Sequence, residues 1–314
     1  MKSGPWRLLF MGTPQFALPS LEAILAAGEE VAAVVTQPDR PRGRGQVVTP
    51  PPVKELALAW HLPVLQPHSL QDPQLIQGLK ALKPELIIVV AYGRILPPEI
   101  LALPSIGSLN IHASLLPRYR GAAPINWALI RGDETTGVTV QWLRPELDSG
   151  PIFLQEQVPI NEEDNFGTLY DRLAEVGANL LVKSLDSLRR EEAIKLPQSQ
   201  TEVTLAPPIS RKMCRLHWEL AASEVAGWIR ALDPKPGAYT HWRGRDLKIF
   251  GARLKKTGGS VAAPGTVLRL TPQGLEIACG QGSIMVKEVQ LAGHKRLLAA
   301  EFLRGHPLIG QRLE

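Results

Sequence analysis

Apolar runs alternate with helical periods through the first two thirds of the chain. Trp6 to Met11 is a short apolar run ending at Gly12-Thr13-Pro14, and a helical pattern follows from Phe16 to Ala27. Val31 to Thr36 is rich in β-branched residues and reads as a second strand. A helix near Val53 to Trp60, a brief strand at Pro63 to Leu65 and a helix around Pro73 to Leu82 come next. Glu85 to Ala91 is nearly all apolar, as a central parallel strand covered on both faces requires. A strand then ends in Asn110-Ile111-His112, and a helix lies near Ala123 to Arg131. Thr136 to Leu143 alternates as another strand, Ile152 to Val158 follows, and a long helix runs from about Phe166 to Arg190. This order predicts an α/β fold with a doubly wound, mostly parallel sheet. Ligands of such sheets sit at the carboxyl ends of the strands, where Tyr92, His112 and the loop after Leu143 are expected to meet.

Two stretches break the rhythm. Gln37 to Pro52 holds five prolines, two glycines and three arginines, and reads as a loop. Leu196 to Ser210 is irregular, with Pro197, Pro207 and Pro208, and reads as a linker. Beyond it come one helix (Ser223 to Leu232) and short strands at Ala238 to Trp242, Asp246 to Leu254, Gly265 to Leu270, Gly274 to Ala278 and Ser283 to Gln290. Short strands separated by glycine turns predict a small OB-like β-barrel. The expected organisation is an α/β domain over 1–196, a linker over 197–210 and a barrel domain over 211–314.

Charge sharpens that division. Residues 1–209 carry 18 Lys and Arg against 22 Asp and Glu, whereas residues 210–314 carry 17 against 8. A basic last third on a mildly acidic body points to a polyanionic partner. Cys214 and Cys279 form no disulfide framework and no metal-ligand spacing, which fits a reducing cytoplasm. The amino terminus does not read as a signal peptide, and no apolar run is long enough for a membrane span.

The candidate chemistry begins at Asn110 and His112. Side chains two apart on a strand share a face, so an amide and an imidazole would aim at one point. Such a pair suits a carbonyl that becomes an oxyanion, although alone it also fits an ordinary strand end. Asp148, in Leu147-Asp148-Ser149-Gly150, could orient or charge the imidazole if its loop lies beside His112. No second His, Cys or carboxylate stands at ligand spacing, so no metal is expected. The first turn is not a GxGxxG fingerprint and Pro14 removes a donor, so no NAD site is expected. No Gly-x-Ser-x-Gly elbow supports a serine hydrolase. Arg40, Arg42 and Arg44 belong either to a solvated connection or to an arm that engages phosphates and exposed bases.

These motifs together resemble the methionyl-tRNA formyltransferase family over essentially the whole chain. The likeness is carried by Gly12-Thr13-Pro14-x-Phe16, by Gln37-Pro38-Asp39-Arg40-Pro41 with Gly43-Arg44-Gly45, and by Val90-Ala91-Tyr92-Gly93. It continues through Asn110-Ile111-His112-x-Ser114-Leu115-Leu116-Pro117-x-Tyr119-Arg120-Gly121-Ala122-Ala123-Pro124-Ile125 and Leu147-Asp148-Ser149-Gly150. The resemblance implies a Rossmann-like formyltransferase domain and formyl transfer from 10-formyltetrahydrofolate to the α-amine of methionyl-initiator tRNA. It implies Asn110, His112 and Asp148 as the catalytic set, and Ser114, Leu115, Leu116 and Pro117 as folate contacts. The pterin is expected against the strand end that holds Val89, Ala91 and Tyr92. Arg40, Arg42 and Arg44 become tRNA contacts, with Arg44 at the family's tRNA-contacting arginine. Lys212, Arg215, Arg243, Arg245, Lys248, Arg253, Lys255 and Lys256 are then candidates for phosphate neutralisation. Pro208 replaces a usual lysine and His217 a common aspartate. A monomeric cytoplasmic enzyme without metal is the expectation. The competing readings are a formyltransferase for a small amine, a formylfolate hydrolase and a non-catalytic RNA-binding protein.

Overall fold

Prolines mark where the early helices begin. Pro19, Pro52, Pro73, Pro98 and Pro124 each occupy the first or second helical position, where the missing N–H has no intrahelical partner to lose. A computed structural model describes residues 4–42, 45–255 and 262–314. Its first half runs β1 (Arg7–Gly12), α1 (Leu18–Ala26), β2 (Glu30–Val35), β3 (Arg40–Arg42), β4 (Val47–Thr49), α2 (Pro52–Ala59), β5 (Val64–Leu65) and α3 (Pro73–Ala81). β6 (Leu86–Val90), α4 (Pro98–Leu101), β7 (Gly107–His112), α5 (Pro124–Ile130), β8 (Thr135–Trp142), β9 (Ile152–Pro159) and α6 (Phe166–Arg189) follow.

Residue contacts divide the chain into two compact units. The first comprises Met1–Ala122, Gly137–Val158 and Tyr170–Ala206. Its sheet has seven strands in the order β5-β2-β1-β6-β7-β8-β9. The pairs from β5 to β7 are parallel, and β8 runs antiparallel to β7. Both faces of the central strands are covered. Leu9, Met11, Ala33, Val35, Ile87 and Val89 join one core cluster with Leu79 and Ile100. The alternate residues Leu8, Phe10, Val34, Leu86, Ile88 and Val90 are equally buried. At about 1.5–3 kcal/mol for each large side chain, this double coverage fixes the sheet.

The proline-rich 37–52 stretch is not wholly loop. β3 and β4 form a two-stranded antiparallel hairpin with Arg40 opposite Thr49 and Arg42 opposite Val47. The run Val47-Val48-Thr49 supplies the β-branched propensity, and Pro41 is tolerated because the ribbon has no further strand to pair.

The second unit comprises Ala123–Thr136, Pro159–Leu169 and Pro207–Glu314. Two short segments from before residue 196 therefore group with the carboxy-terminal part. The reason is packing: α5 lies against α7 (Ala222–Leu232), and an added Cβ at Gly227 would meet the Leu129 carbonyl at 2.9 Å. Beyond α7 the strands are β10 (Ala238–Trp242), β11 (Arg245–Leu254), β12 (Val267–Thr271), β13 (Gly274–Ala278), β14 (Ser283–Leu291) and β15 (Leu297–Leu298), followed by α8 (Ala299–Leu303). They pair antiparallel in the order β10-β11-β14-β13-β12, with β15 on β14. Residues 310–314 bridge the two outer strands. Gly310 N–H donates to Val267, Leu313 N–H to Gly265, and His241 and Glu314 exchange both backbone bonds.

That bridge has a buried polar anchor. Thr240 Oγ donates to the Glu314 carbonyl at 2.7 Å and accepts from the Trp218 indole at 3.0 Å. Thr240→Val keeps the shape and strands both partners, so a loss of about 1–3 kcal/mol is expected. Urea unfolding followed by tryptophan fluorescence measures it.

Candidate active site

β7 carries the site because of where its residues face. Asn110 lies opposite Gln141 and His112 opposite Thr139 across the β7–β8 pair, so four polar side chains share one face. Asn110 is half-buried, while His112, Thr139 and Gln141 are buried. β8 leaves this face at Trp142, beside Leu109, rather than at the His112 end. The loop of Asp148 therefore does not start at the carboxyl end of the parallel strands, as expected from sequence. It folds back over the β7–β8 face.

Asp148 arrives there in a left-handed conformation, with φ of +47°. Its Oδ1 lies 3.6 Å from His112 Nδ1 and accepts from the Gln141 amide at 3.0 Å. Its Oδ2 accepts from Gly121 N–H at 2.9 Å. Glycine is required at that donor: Gly121 has φ of +126°, and a Cβ would lie 2.7 Å from the Ala206 carbonyl. On the other side of the ring, His112 Nε2 is 2.9 Å from the Tyr119 carbonyl. A carbonyl only accepts, so Nε2 carries the hydrogen and Nδ1 is left to exchange a proton with Asp148. The side chain of Asn110 makes no hydrogen bond among the described residues.

The 113–121 loop is held on the same face. Ser114 is fully buried, and its hydroxyl donates to the Arg118 carbonyl at 2.6 Å. Thr139 Oγ donates to the Ser114 carbonyl at 2.6 Å and accepts from Leu116 N–H at 3.1 Å. The hydroxyl of Ser114 therefore serves the loop, the Leu116 side chain is buried, and Leu115 and Pro117 keep partial exposure. Val89 is buried in the core cluster, and Ala91 is exposed with φ of +47°. Tyr92 is buried as well. After the left-handed Ala91 its ring enters the core with only 2 % exposure, and its carbonyl accepts from Thr13 and Gln37. Burial raises the Tyr92 phenol above its ordinary range, and the hydroxyl has no partner among the described residues.

The arginine arm is anchored at its base. Asp39 accepts from Gln66 at 2.7 Å and from Lys54 at 2.7 Å, and these contacts, Gln66 first, hold its carboxyl below the usual range. Arg40 is exposed beside Gln37. Arg42 is described only as backbone in β3, and Arg44 lies outside the described residues. In the second unit several candidate cations are already engaged. Arg253 pairs with Glu163 and Lys255 with Glu276, while Lys248 and Arg245 donate to the carbonyls of Pro236 and Ala292. Lys212, Arg215 and Arg243 form no ion pair among the described residues, and Lys256 lies outside them.

Sequence reasoning missed Gln141, Arg120, Gln198 and Thr204. Gln198 Nε2 donates to the carbonyls of Asp148 at 2.8 Å and Gly150 at 2.7 Å. Only the polar alternation of β8 could have flagged Gln141. The other three lie in stretches without a period.

A sequence profile of the family described as Formyl transferase matches residues 6–185, and one described as Formyl transferase, C-terminal domain, matches residues 208–307. A methionyl-tRNA formyltransferase of Moorella thermoacetica is 50% identical over 96% of this chain and 97% of its own. One from Pelotomaculum thermopropionicum is 47% identical over 96% of each. The chain belongs to the methionyl-tRNA formyltransferase family. Its fold is also that of HypX from Aquifex aeolicus in complex with tetrahydrofolic acid, with a TM-score of 0.65 at 21% identity. That match covers 96% of this chain and 48% of HypX, so the chain spans about half of that protein. An N-formyltransferase from Helicobacter canadensis, in complex with folinic acid and dTDP-3-aminofucose, matches with a TM-score of 0.64 at 19% identity, covering 90% of this chain and 99% of that one.

Gly150 is the tightest point of the Asp148 turn, because an added Cβ would lie 1.6 Å from the Trp142 carbonyl. Gly150→Ala is expected to cost on the order of 3 kcal/mol by forcing the turn away from β8. Thermal unfolding and urea titration test that value.

Proposed function

We propose that the chain transfers the formyl group of 10-formyltetrahydrofolate to the α-amine of methionyl-initiator tRNA, giving formylmethionyl-tRNA for translation initiation. The carrying observation is the half-buried Asn110 amide, without a hydrogen-bond partner among the described residues, beside a His112–Asp148 pair in a chain whose whole-length relatives bear that enzyme's name. The donor set fits a folate carbonyl. An amide with free N–H groups stands at the strand end, and the exposed Ala91 with the partly exposed Leu115 and Pro117 offers apolar surface. When bound, the folate supplies an activated one-carbon carbonyl.

The residues then divide the work. Asn110 donates to the carbonyl oxygen as negative charge grows on it, the role of an oxyanion-hole amide. His112 has its Nε2 hydrogen committed to Tyr119, so it is not a second oxyanion donor in this geometry. Its Nδ1, with Asp148, takes the proton that the attacking amine sheds as the new carbon–nitrogen bond forms, and returns it to the folate nitrogen as the formyl–folate bond breaks and tetrahydrofolate leaves. No covalent enzyme intermediate is needed. The arginine arm and Lys212, Arg215 and Arg243, which form no ion pair among the described residues, supply positive charge for the RNA. No helix among the described residues is long and apolar enough to cross a membrane, and we place the reaction in the cytoplasm.

Asn110→Ala is expected to lower the single-turnover rate by roughly 10²–10³-fold. The decisive assay follows labelled formyl donor with methionyl-tRNA, uncharged tRNA, a nucleotide-linked amino sugar or buffer. Label is expected in methionyl-tRNA alone; label in free formate or in the sugar would replace this reading by hydrolysis or small-amine transfer. Arg40→Ala and Arg44→Ala are expected to weaken tRNA binding and to flatten its salt dependence by about one ion per lost phosphate contact. Unchanged affinity across a salt series would return the arm to a plain connection.

A further inference from the structure

Residues 198–206 follow α6 and lead to Pro207, where the last segment of the second unit begins. A segment with that sequence reads as a tether, yet it is bonded to Asp148 and to Tyr119, the residue whose carbonyl faces His112 Nε2. Gln198 is 7% exposed. Besides its bonds to Asp148 and Gly150, its Oε1 accepts from Arg120 Nε at 3.0 Å and from a terminal Arg120 nitrogen at 2.8 Å. One side chain thus holds both ends of the Asp148–Gly150 turn and ties that turn to Arg120.

Thr204 acts one residue removed from His112, through Tyr119. Its Oγ accepts from Tyr119 N–H at 2.8 Å, and its carbonyl accepts from Arg120 N–H at 2.9 Å. Ala206 N–H then donates to the Arg120 carbonyl at 2.8 Å. Tyr119 is the residue whose carbonyl fixes His112 Nε2, and Gly121 is the one whose N–H fixes Asp148 Oδ2. The segment therefore grips the 119–121 backbone on which both catalytic side chains are hung.

We propose that residues 198–206 are a positioning strap, in which Gln198 sets Asp148 and Thr204 sets His112. The proposal rests on the formyl-transfer reading of the site. Three physical arguments carry it. A buried primary amide is costly unless its nitrogen and oxygen are both bonded, and a mere connector has no need of one. Asp148 sits at positive φ, a conformation that persists in a non-glycine residue only when its surroundings over-determine it. The His112–Asp148 separation of 3.6 Å is already long for a hydrogen bond, so a further displacement disengages the pair. A misplacement of about 1 Å can cost a reaction 10²-fold.

Near-isosteric variants test the strap. Gln198→Glu keeps the volume and the Arg120 partner but removes both donations to the Asp148 turn. Thr204→Val removes the acceptor for Tyr119 N–H, and Thr204→Ser retains it. Single-turnover formylation of methionyl-tRNA is measured with the KM of both substrates, the unfolding temperature, and the ¹⁵N imidazole resonances of His112 in protein without folate. Gln198→Glu and Thr204→Val are expected to lower the single-turnover rate about 10–100-fold while KM values change less than about 3-fold. The His112 Nδ1 resonance is expected to shift or broaden in both, and Thr204→Ser to restore rate and spectrum. Cooperatively folded variants with wild-type rates, or an unmoved His112 spectrum, overturn the strap. Should wild-type protein form no formylmethionyl-tRNA, the functional reading falls, and the folate-free His112 spectrum still decides whether the segment positions the pair.

Discussion

A buried polar face on the β7–β8 pair is the constraint from which the site follows. His112, Thr139 and Gln141 are 6%, 0% and 0% exposed, and each buried donor or acceptor left unmade would cost about 1–3 kcal/mol. Apolar side chains cannot cover such a face. It is covered by the backbone of the 113–121 loop, which satisfies Thr139 and His112, and by the Asp148 carboxylate, which satisfies the Gln141 amide. Gln155 adds a further bond to Thr139 at 2.8 Å. The loops that would carry chemistry are thus fixed by the same hydrogen bonds that make this sheet foldable.

The reversal of β8 gives this face its use. In a wholly parallel sheet the loop after the next strand would emerge at the His112 end and project beyond the sheet. Because β8 runs the other way, its following loop must cross back over the strands to reach the imidazole. That return places Asp148 between Gln141, Gly121 and His112 instead of in solvent, and the side-chain exposures of 11% for Asp148 and 7% for His112 record the result. In so shielded a place an ion pair or a charged hydrogen bond is weakened little by salt. Preorganised groups of this kind need little rearrangement when charge develops beside them.

The elements of the fold were legible because they rest on local periods. β6 reads as a buried central strand from its unbroken apolar run, and Asn110 and His112 share a face by simple alternation. Asp148 was legible as a residue but not in its approach, since strand direction is a long-range property. Tyr92 was legible as a strand-end residue but not in its burial, since the left-handed backbone at Ala91 turns the next ring inward. The β3–β4 hairpin was masked by its prolines. Gln198 and Thr204 were illegible for a different reason. Irregular, proline-flanked sequence carries no period, so nothing in it distinguishes a tether from a buried strap.

What separates a structural polar cluster from a catalytic one here is the group left over. Gln141, Thr139, Gln198 and Asp148 are each engaged by two or more partners, and His112 has an acceptor facing each ring nitrogen. Asn110, on the same face and two residues from His112, has no partner for its amide among the described residues. Folding alone does not call for that arrangement, because an aliphatic side chain at a half-buried strand end would serve stability at least as well. On the proposed formyl-transfer reading, such an amide, half-shielded and unspent, is a donor kept for an oxygen that arrives from outside. On the same reading the satisfied residues around it set where that oxygen goes, and the Nδ1 of His112 where a proton leaves. The catalytic reading follows from this difference in satisfaction, and the strap that holds His112 and Asp148 in place belongs to the same design.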